Sequence, residues 1–439
     1  MEADPGLGPT ILVCGWQGEL VRSFVDLGAR VVALVDRANR EPARGDSRLS
    51  LCDRVFFISS FDSLEEVGAI AAELLTTGVR ITQVVSPKEV SQHCAGYLEA
   101  LLGVAADPLY RLRLRDKRLM KSTLAAAGIR VARFASVPSP EDTDALAAAT
   151  RRLRPPYVLK PAAGYGTMST YECATATDLL DIADTLRLDP QIRSRQLIVE
   201  EFVPGEELQI EMFWSAGVLV HLVVFKYHRQ RIRMMPLQRS HRDGVRLVLP
   251  EEDPDAYAAI ETMATRAARA FGITEGTSQI EAFLDADGTL TLSEIAARGG
   301  GAWTPALMKE YLGHPLWDLI ARCHLDVPVT PPHRTHRYLA SISIRPDEPG
   351  RVTAFPSRED YEALPGVLSW DRVRNVGDRA RLHHPSDYYV HVIVGADTLP
   401  ELDERCARAQ AELFVQVDDL TSNTCPGPRD RAISRIGKT

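Results

Sequence analysis

The sequence predicts a mixed α/β and α+β protein of more than one domain, and three observations carry that expectation. The chain has 439 residues, more than a single hydrophobic core usually serves. Its opening alternates strand-like apolar runs with helical stretches, the rhythm of a parallel sheet wound by helices. Beyond about residue 112 the rhythm changes to strand pairs with helices set apart from them. With 45% hydrophobic and 25% charged residues, the composition is that of a folded chain and not of a disordered one.

The N-terminal α/β domain is expected over residues 1–112. The stretch "TILVCGWQGELVRSFVDLGARVVALVD" reads strand, glycine turn, helix, strand, and its second strand ends at Asp36. "RVFFISS" and "ITQVVS" continue the pattern. A dinucleotide fingerprint is incomplete, because only Gly15 and Gly18 stand where GxGxxG requires three glycines, so a substrate-side domain without NAD is expected.

A second domain is expected over 113–330. It begins with the helix "DKRLMKSTLAAAG" and the strand "VARFASV", runs through "YVLKPAAGYGTMST" and "LIVEEFVPGEELQIEMFW", and includes a helix near 254–271. The break "VPVTPPHRTH" precedes a C-terminal α+β segment over 331–424, with strands near "RYLASISI" and "YYVHVIVGA" and a helix near "LPELDERCARAQAELF". The polar, basic tail 425–439 is expected to fray.

Charge and cysteine content exclude several functions. A formal net charge of −8 does not suit binding to nucleic acid, which needs a basic footprint to displace counterions. No run of about 18 apolar residues exists and the N-terminus lacks a signal segment, so no membrane partner and a cytoplasmic location are expected. Seven dispersed cysteines without a CxxC pair fit reduced thiols and not a disulfide framework or a zinc site.

The chemistry gathers around two stretches. In "IEAFLDADGTLTLSEI" an Asp287-Gly288 hairpin turn flanked by alternating residues would set Glu281 directly opposite Glu294. Carboxylates so placed repel unless a cation sits between them, and Mg²⁺ is commonly held by one or two carboxylates together with phosphate oxygens. The plainer reading is a solvated hairpin. In "VLKPAAGYGTMST" a strand ends at Lys160 and enters a loop with Gly164, Gly166 and Thr167, where exposed N–H groups and a lysine suit phosphate. The loop does not match the P-loop pattern, and Lys117 near a helix start would by itself be an ordinary solvated residue.

Taken in order, "DKRLMKSTLAAAGIRV", "YVLKPAAGYGTMST", "IVEEFVPGEELQIE", "IEAF" and "SEIAARGGG" resemble the ATP-grasp superfamily, over roughly residues 10–420. The resemblance implies an ATP-grasp fold, in which an N-terminal doubly wound domain precedes a two-lobed nucleotide clamp, here with its lid over about 113–205. It implies ATP and Mg²⁺ as cofactors, with Mn²⁺ as the other ion such ligands take. Lys117 and Lys160 would contact the phosphates under the loop of Gly164, Gly166 and Thr167. Glu200, Glu201 and Val203 would form the hinge at the adenine, Glu207 would hold the ribose, and Glu281 and Glu294 would hold the metal. Where the family usually has a metal-binding Asn after the second glutamate, this chain has Ala296, so either one ion is held or a second is held more loosely.

The chemistry so implied is that of the L-amino acid (dipeptide) ligase group: a carboxylate is activated as an acylphosphate, an amine forms the amide, and ADP and phosphate leave. Arg298, with the backbone of Gly299, Gly300 and Gly301, would hold the acylphosphate oxygens. His241 would orient a substrate amine or carboxylate, or be structural. Six arginines between Arg229 and Arg246 would grip an anion or face water, and Trp303 would wall the pocket or pack in the core. Small-molecule carboxylate and amine substrates and a homodimer complete the expectation. Competing readings are a bicarbonate-using carboxylase or purine-pathway type enzyme, and a catalytically silent nucleotide-binding module.

Overall fold

A computed structural model describes residues 8–418 apart from 106, 108, 188–194, 235–242, 330, 334 and 383. The N-terminal strands Thr10–Cys14, Arg30–Val35, Arg54–Phe57 and Gln83–Val85 form one parallel sheet, with the first of them between the second and the fourth. Every residue of Thr10–Cys14 is buried, as expected of a central strand covered by helices on both faces. The helix Gly18–Asp26 buries Leu20, Val21 and Phe24, and it packs on the helix Leu316–Leu325 of the central body. The N-terminal domain is therefore anchored to the rest through an apolar seam.

A four-stranded antiparallel sheet lies between Phe134 and Glu201, with its own core of Val137, Leu146, Leu159, Leu179, Ala183 and Val199 among others. The helix Lys117–Ala126 does not share that core. Its Met120 and Leu124 pack instead with Ile210, Ile280 and Leu292 of the main sheet. Pro204 and Gly205 carry the chain from the strand Leu197–Glu201 in the small sheet to Glu206–Ser215 in the large one. Gly205 has φ 113°, and a side chain there would collide with the Leu284 carbonyl.

The large sheet has eight strands, in the order 290–296, 276–284, 206–215, 218–227, 244–248, 338–344, 390–396 and 367–372. Strands of the C-terminal segment thus extend the central sheet, since Gly244–Val248 pairs antiparallel with Tyr338–Ile344. The helix expected near 399–414 spans Leu399–Glu412 and covers this extension through Leu402, Cys406 and Ala409. Six cysteines of the described residues are free thiols, and Cys425 and the tail lie outside those residues. No helix of the described residues is long and apolar enough to cross a membrane.

Candidate functional site

Glu281 and Glu294 do face each other, although the turn that brings them there differs from the one the sequence pointed to. Asp285 pairs with Thr289 around a three-residue loop, in which the Gly288 N–H donates to the Asp285 carbonyl at 3.0 Å and Gly288 takes φ 82°. From that loop Leu284 faces Leu290 and Ala282 faces Leu292, a register that alone would oppose Glu281 to Ser293. A bulge beyond Ala282 takes up one residue and restores Glu281 opposite Glu294. Both carboxylates line one cavity of about 680 Å³ between the two sheets.

The cations of that cavity form a ladder. Glu294 lies 3.2 Å from the Lys117 ammonium and 3.1 Å from that of Lys160, and Lys160 lies 3.2 Å from Glu200. Glu200 in turn lies 3.3 Å from Lys121, which also donates to the Ser293 carbonyl at 3.0 Å. Burial pushes the Glu294 carboxyl up, but Lys117, Lys160 and Lys121 outweigh it and bring it down to about 2. Burial and the charge of Glu294 push Glu281 up from the ordinary carboxylate range. One carboxylate of the pair is thus satisfied by lysines, while the other is short of positive charge.

Glu207 and Glu211 lie deeper, on the strand beside Glu281. Burial, with the Glu281 charge, lifts Glu207 to about 7, and Glu207 accepts the Arg231 N–H at 2.7 Å. Burial likewise lifts Glu211 to about 7, against hydrogen bonds from the Gly300 N–H at 3.1 Å and the Gln209 amide at 2.8 Å. The middle glycine of "GGG" therefore serves close packing in this structure. Its N–H is held by Glu211, and a side chain at Gly300 would run into Gln209, Glu211 and Thr304.

Arg298 lines the same cavity, donating to Glu89 at 2.6 Å and to the Gln279 amide oxygen at 3.0 Å. Burial raises the Glu89 carboxyl, but Arg298, Arg115 and Lys117 together hold it below its ordinary range. Glycine-loop contacts complete the wall. Arg115 and Lys117 each donate to the Gly164 carbonyl at 2.9 Å, Ser386 donates to the Gly166 carbonyl at 2.8 Å, and Arg231 bridges Thr167, Ser386 and Tyr388.

Comparison with known proteins agrees with this geometry. Residues 153–306 match the ATP-grasp domain, and residues 343–418 match the L-amino acid ligase C-terminal domain 2. The chain thus carries an ATP-grasp domain. It is 26% identical over 334 residues to the L-arginine-specific L-amino acid ligase of Bacillus subtilis, covering 74% of this chain and 77% of that protein. It is 29% identical over 244 residues to the N5-carboxyaminoimidazole ribonucleotide synthase of Mycobacterium bovis, covering 52% of each. The L-amino acid ligase of Bacillus licheniformis shares the fold with a TM-score of 0.73 at 17% identity, over 94% of this chain and 100% of that structure. Family and relatives together support an ADP-forming ATP-grasp ligase.

In ATP-grasp terms, the structure brings Lys117, Lys160, Gly164, Gly166, Thr167, Glu200, Glu201, Val203, Glu207, Glu281, Glu294 and Arg298 to one cavity wall. In the stretch expected to be the hinge, the Glu201 N–H is taken by the Arg133 carbonyl at 2.9 Å, and the Val203 carbonyl accepts Gln230 at 3.1 Å. His241, Arg239 and Arg242 lie outside the described residues. Of the other arginines in that stretch, Arg231 is buried at the site, Arg233 pairs with Glu172, Arg246 pairs with Glu252, and Arg229 is exposed. Trp303 is 3% exposed and packs edge-on against Phe225 and Tyr227, though it also touches the cavity.

Sequence reasoning missed Lys121, Glu89, Gln209, Glu211 and Tyr388. Lys121 had a signal, since it stands four residues after Lys117 and so shares its helix face. The others had none, because their partners are distant in sequence. Glu281 and Glu294 fit a divalent ion, with Lys117 and Lys160 standing in for positive charge at one of the two carboxylates. Ala296 pairs across the ribbon with Gln279, whose amide oxygen is held by Arg298.

Proposed function

We propose that this chain is an ATP-dependent carboxylate–amine ligase acting on amino acids. A substrate carboxylate oxygen attacks the terminal phosphorus of ATP, the bond to ADP breaks, and an acylphosphate forms. An amine nitrogen then attacks the acyl carbon, the bond to phosphate breaks, and a proton leaves the nitrogen. The observation that carries this reading is the shared cavity in which two opposed glutamates, three lysines and Arg298 converge.

Each residue has a derivable task. Lys117, Lys121 and Lys160 offer fixed positive charge where the phosphates would lie, so little reorganisation is needed as charge shifts during transfer. The glycine loop, held through Gly164 and Gly166, would close over the same region and exclude water. Arg298, kept in place by Glu89 and Gln279, would receive the acylphosphate oxygens. Glu281 and Glu294 would hold Mg²⁺, which when bound offsets charge on the phosphate oxygens. Hinge contacts at Glu200, Glu201 and Val203, with Glu207 at the ribose, would place the nucleoside.

A screen of amino-acid pairs for phosphate release, with mass spectrometry of the products, tests the reading. ADP and a new amide that require both partners support it. AMP with pyrophosphate refutes it. Likeness to the N5-carboxyaminoimidazole ribonucleotide synthase motivates a second reading, a carboxylase type using bicarbonate, and turnover stimulated by bicarbonate without an amino acid would favour that one. A silent nucleotide-binding module, motivated by Ala296, would bind Mg²⁺–ATP and turn over nothing.

A further inference from the structure

The N-terminal domain sends a lysine into the cavity that the phosphate chemistry does not use. Lys88 lines the cavity, as does its neighbour Glu89, whose carboxylate holds Arg298. Its backbone is fixed with unusual care. The Lys88 carbonyl accepts the Ser86 hydroxyl at 3.1 Å and the Gln92 amide at 3.4 Å. Ser91 donates to the Cys14 carbonyl at 2.7 Å, tying this turn to the central strand.

Space for the side chain is provided by Gly15. A Cβ at Gly15 would sit 2.8 Å from Cγ of Lys88, and the residue's φ of 107° also favours glycine. The glycine that resembled half of a dinucleotide motif thus clears a path for a lysine stem. Burial pulls the Lys88 ammonium down from its ordinary range, and Asp36 is the carboxylate that pulls the other way. Among the described residues no carboxylate forms an ion pair with it within 4.0 Å, in contrast to Lys117, Lys121 and Lys160, which all have one. A half-buried ammonium on the cavity wall that is held in no ion pair is a free cation for an anionic ligand.

We propose that Lys88 receives the carboxylate of the incoming amine substrate, making the second substrate an amino acid or peptide with a free carboxyl group and not a simple amine. The assignment rests on the ligase reading and adds the chemistry that selects the acceptor. The acyl group is engaged at Arg298, and the acceptor must present its nitrogen to that carbon. A cation on the wall next to Glu89 orients the acceptor by the one charge it keeps throughout the reaction.

The test compares an acceptor amino acid with its own carboxamide in the wild type and in Lys88→Met and Lys88→Arg, with product followed by mass spectrometry. The wild type is expected to prefer the free acid, and Lys88→Met to lose roughly 10- to 100-fold in kcat/KM for it through a raised acceptor KM. The carboxamide should change by less than about threefold, the KM for ATP should hold, and Lys88→Arg should restore preference for the acid. Equal losses for acid and amide, or no loss for either, overturn the assignment while leaving the ligase reading intact. A wild type that makes no amine-dependent product overturns the ligase reading and, with it, the role of Lys88.

Discussion

Replacing Glu294 by Gln keeps the shape of the side chain and removes one of the two opposed charges. Its carboxyl falls from 4.5 to about 2, because Lys117, Lys160 and Lys121 outweigh burial. That difference corresponds to about 3 kcal/mol of favourable interaction for the ionised form. Its folded value lies below the unfolded one, so this stabilisation is complete above about pH 4.5 and is lost as pH falls toward 2. Lys160 keeps Glu200 and Lys117 keeps the Gly164 carbonyl after the exchange, so urea unfolding at pH 7 should show a smaller loss of roughly 1–2 kcal/mol. Amide formation should drop by roughly 100-fold or more, as when one fixed group facing the transition state is removed. Calorimetric titration gives the decisive reading: the wild type should bind ATP more tightly with Mg²⁺ present, and Glu294→Gln should lose that difference. A variant that keeps the wild-type dependence on Mg²⁺, or turns over within a few fold of it, would refute the assignment of this carboxylate to the ion.

Three further outcomes are expected. Arg231→Met severs the side-chain link between Thr167, Ser386 and Tyr388, so hydrogen exchange should quicken at 164–168 and the KM for ATP should rise several-fold, whereas unchanged exchange would deny that the C-terminal segment holds the glycine loop. Gly300→Ala forces a methyl group into Gln209, Glu211 and Thr304 and should cost about 1–3 kcal/mol in urea unfolding along with most turnover, and a fully active variant would contradict the close approach. Glu211 has a folded value of about 7, above its ordinary 4.5, so its contribution is full below about pH 4.5 and is lost as pH rises through 7. Thermal melting of Glu211→Gln should therefore flatten with pH between 5 and 8, and parallel curves for variant and wild type would sink the argument.

Much of this was legible because the decisive signals are local. The parallel opening sheet follows from apolar runs spaced by helices, and the strands Thr10–Cys14 and Arg30–Val35 fall where those runs are. Pairing of Glu281 with Glu294 was legible only through a turn assumed to be two residues long. The actual loop has three, and a bulge that no pattern announces recovers the register. Contacts that cross the chain left no trace: Arg298 meets Glu89 across 209 positions and Arg231 meets Tyr388 across 157. For the same reason the break near 330 read as the start of a separate segment. Edge pairing of Gly244–Val248 with Tyr338–Ile344 depends on which strand edges remain open after folding, and single-strand periodicity does not encode that.

These long-range contacts pair the charges of the site within the protein. Lys117, Lys121 and Lys160 stand within ion-pair distance of Glu200 or Glu294, so none of these buried charges is isolated. Entry of a polyphosphate alters that balance in one direction. Its oxygens would compete with Glu294 for Lys117 and Lys160, and the carboxylate so released would stand opposite Glu281, a pair that would then need a cation of its own. Nucleotide and metal would accordingly bind with mutual reinforcement, each creating the vacancy of charge the other fills. Lys88 would stand outside this exchange, because among the described residues no carboxylate forms an ion pair with it.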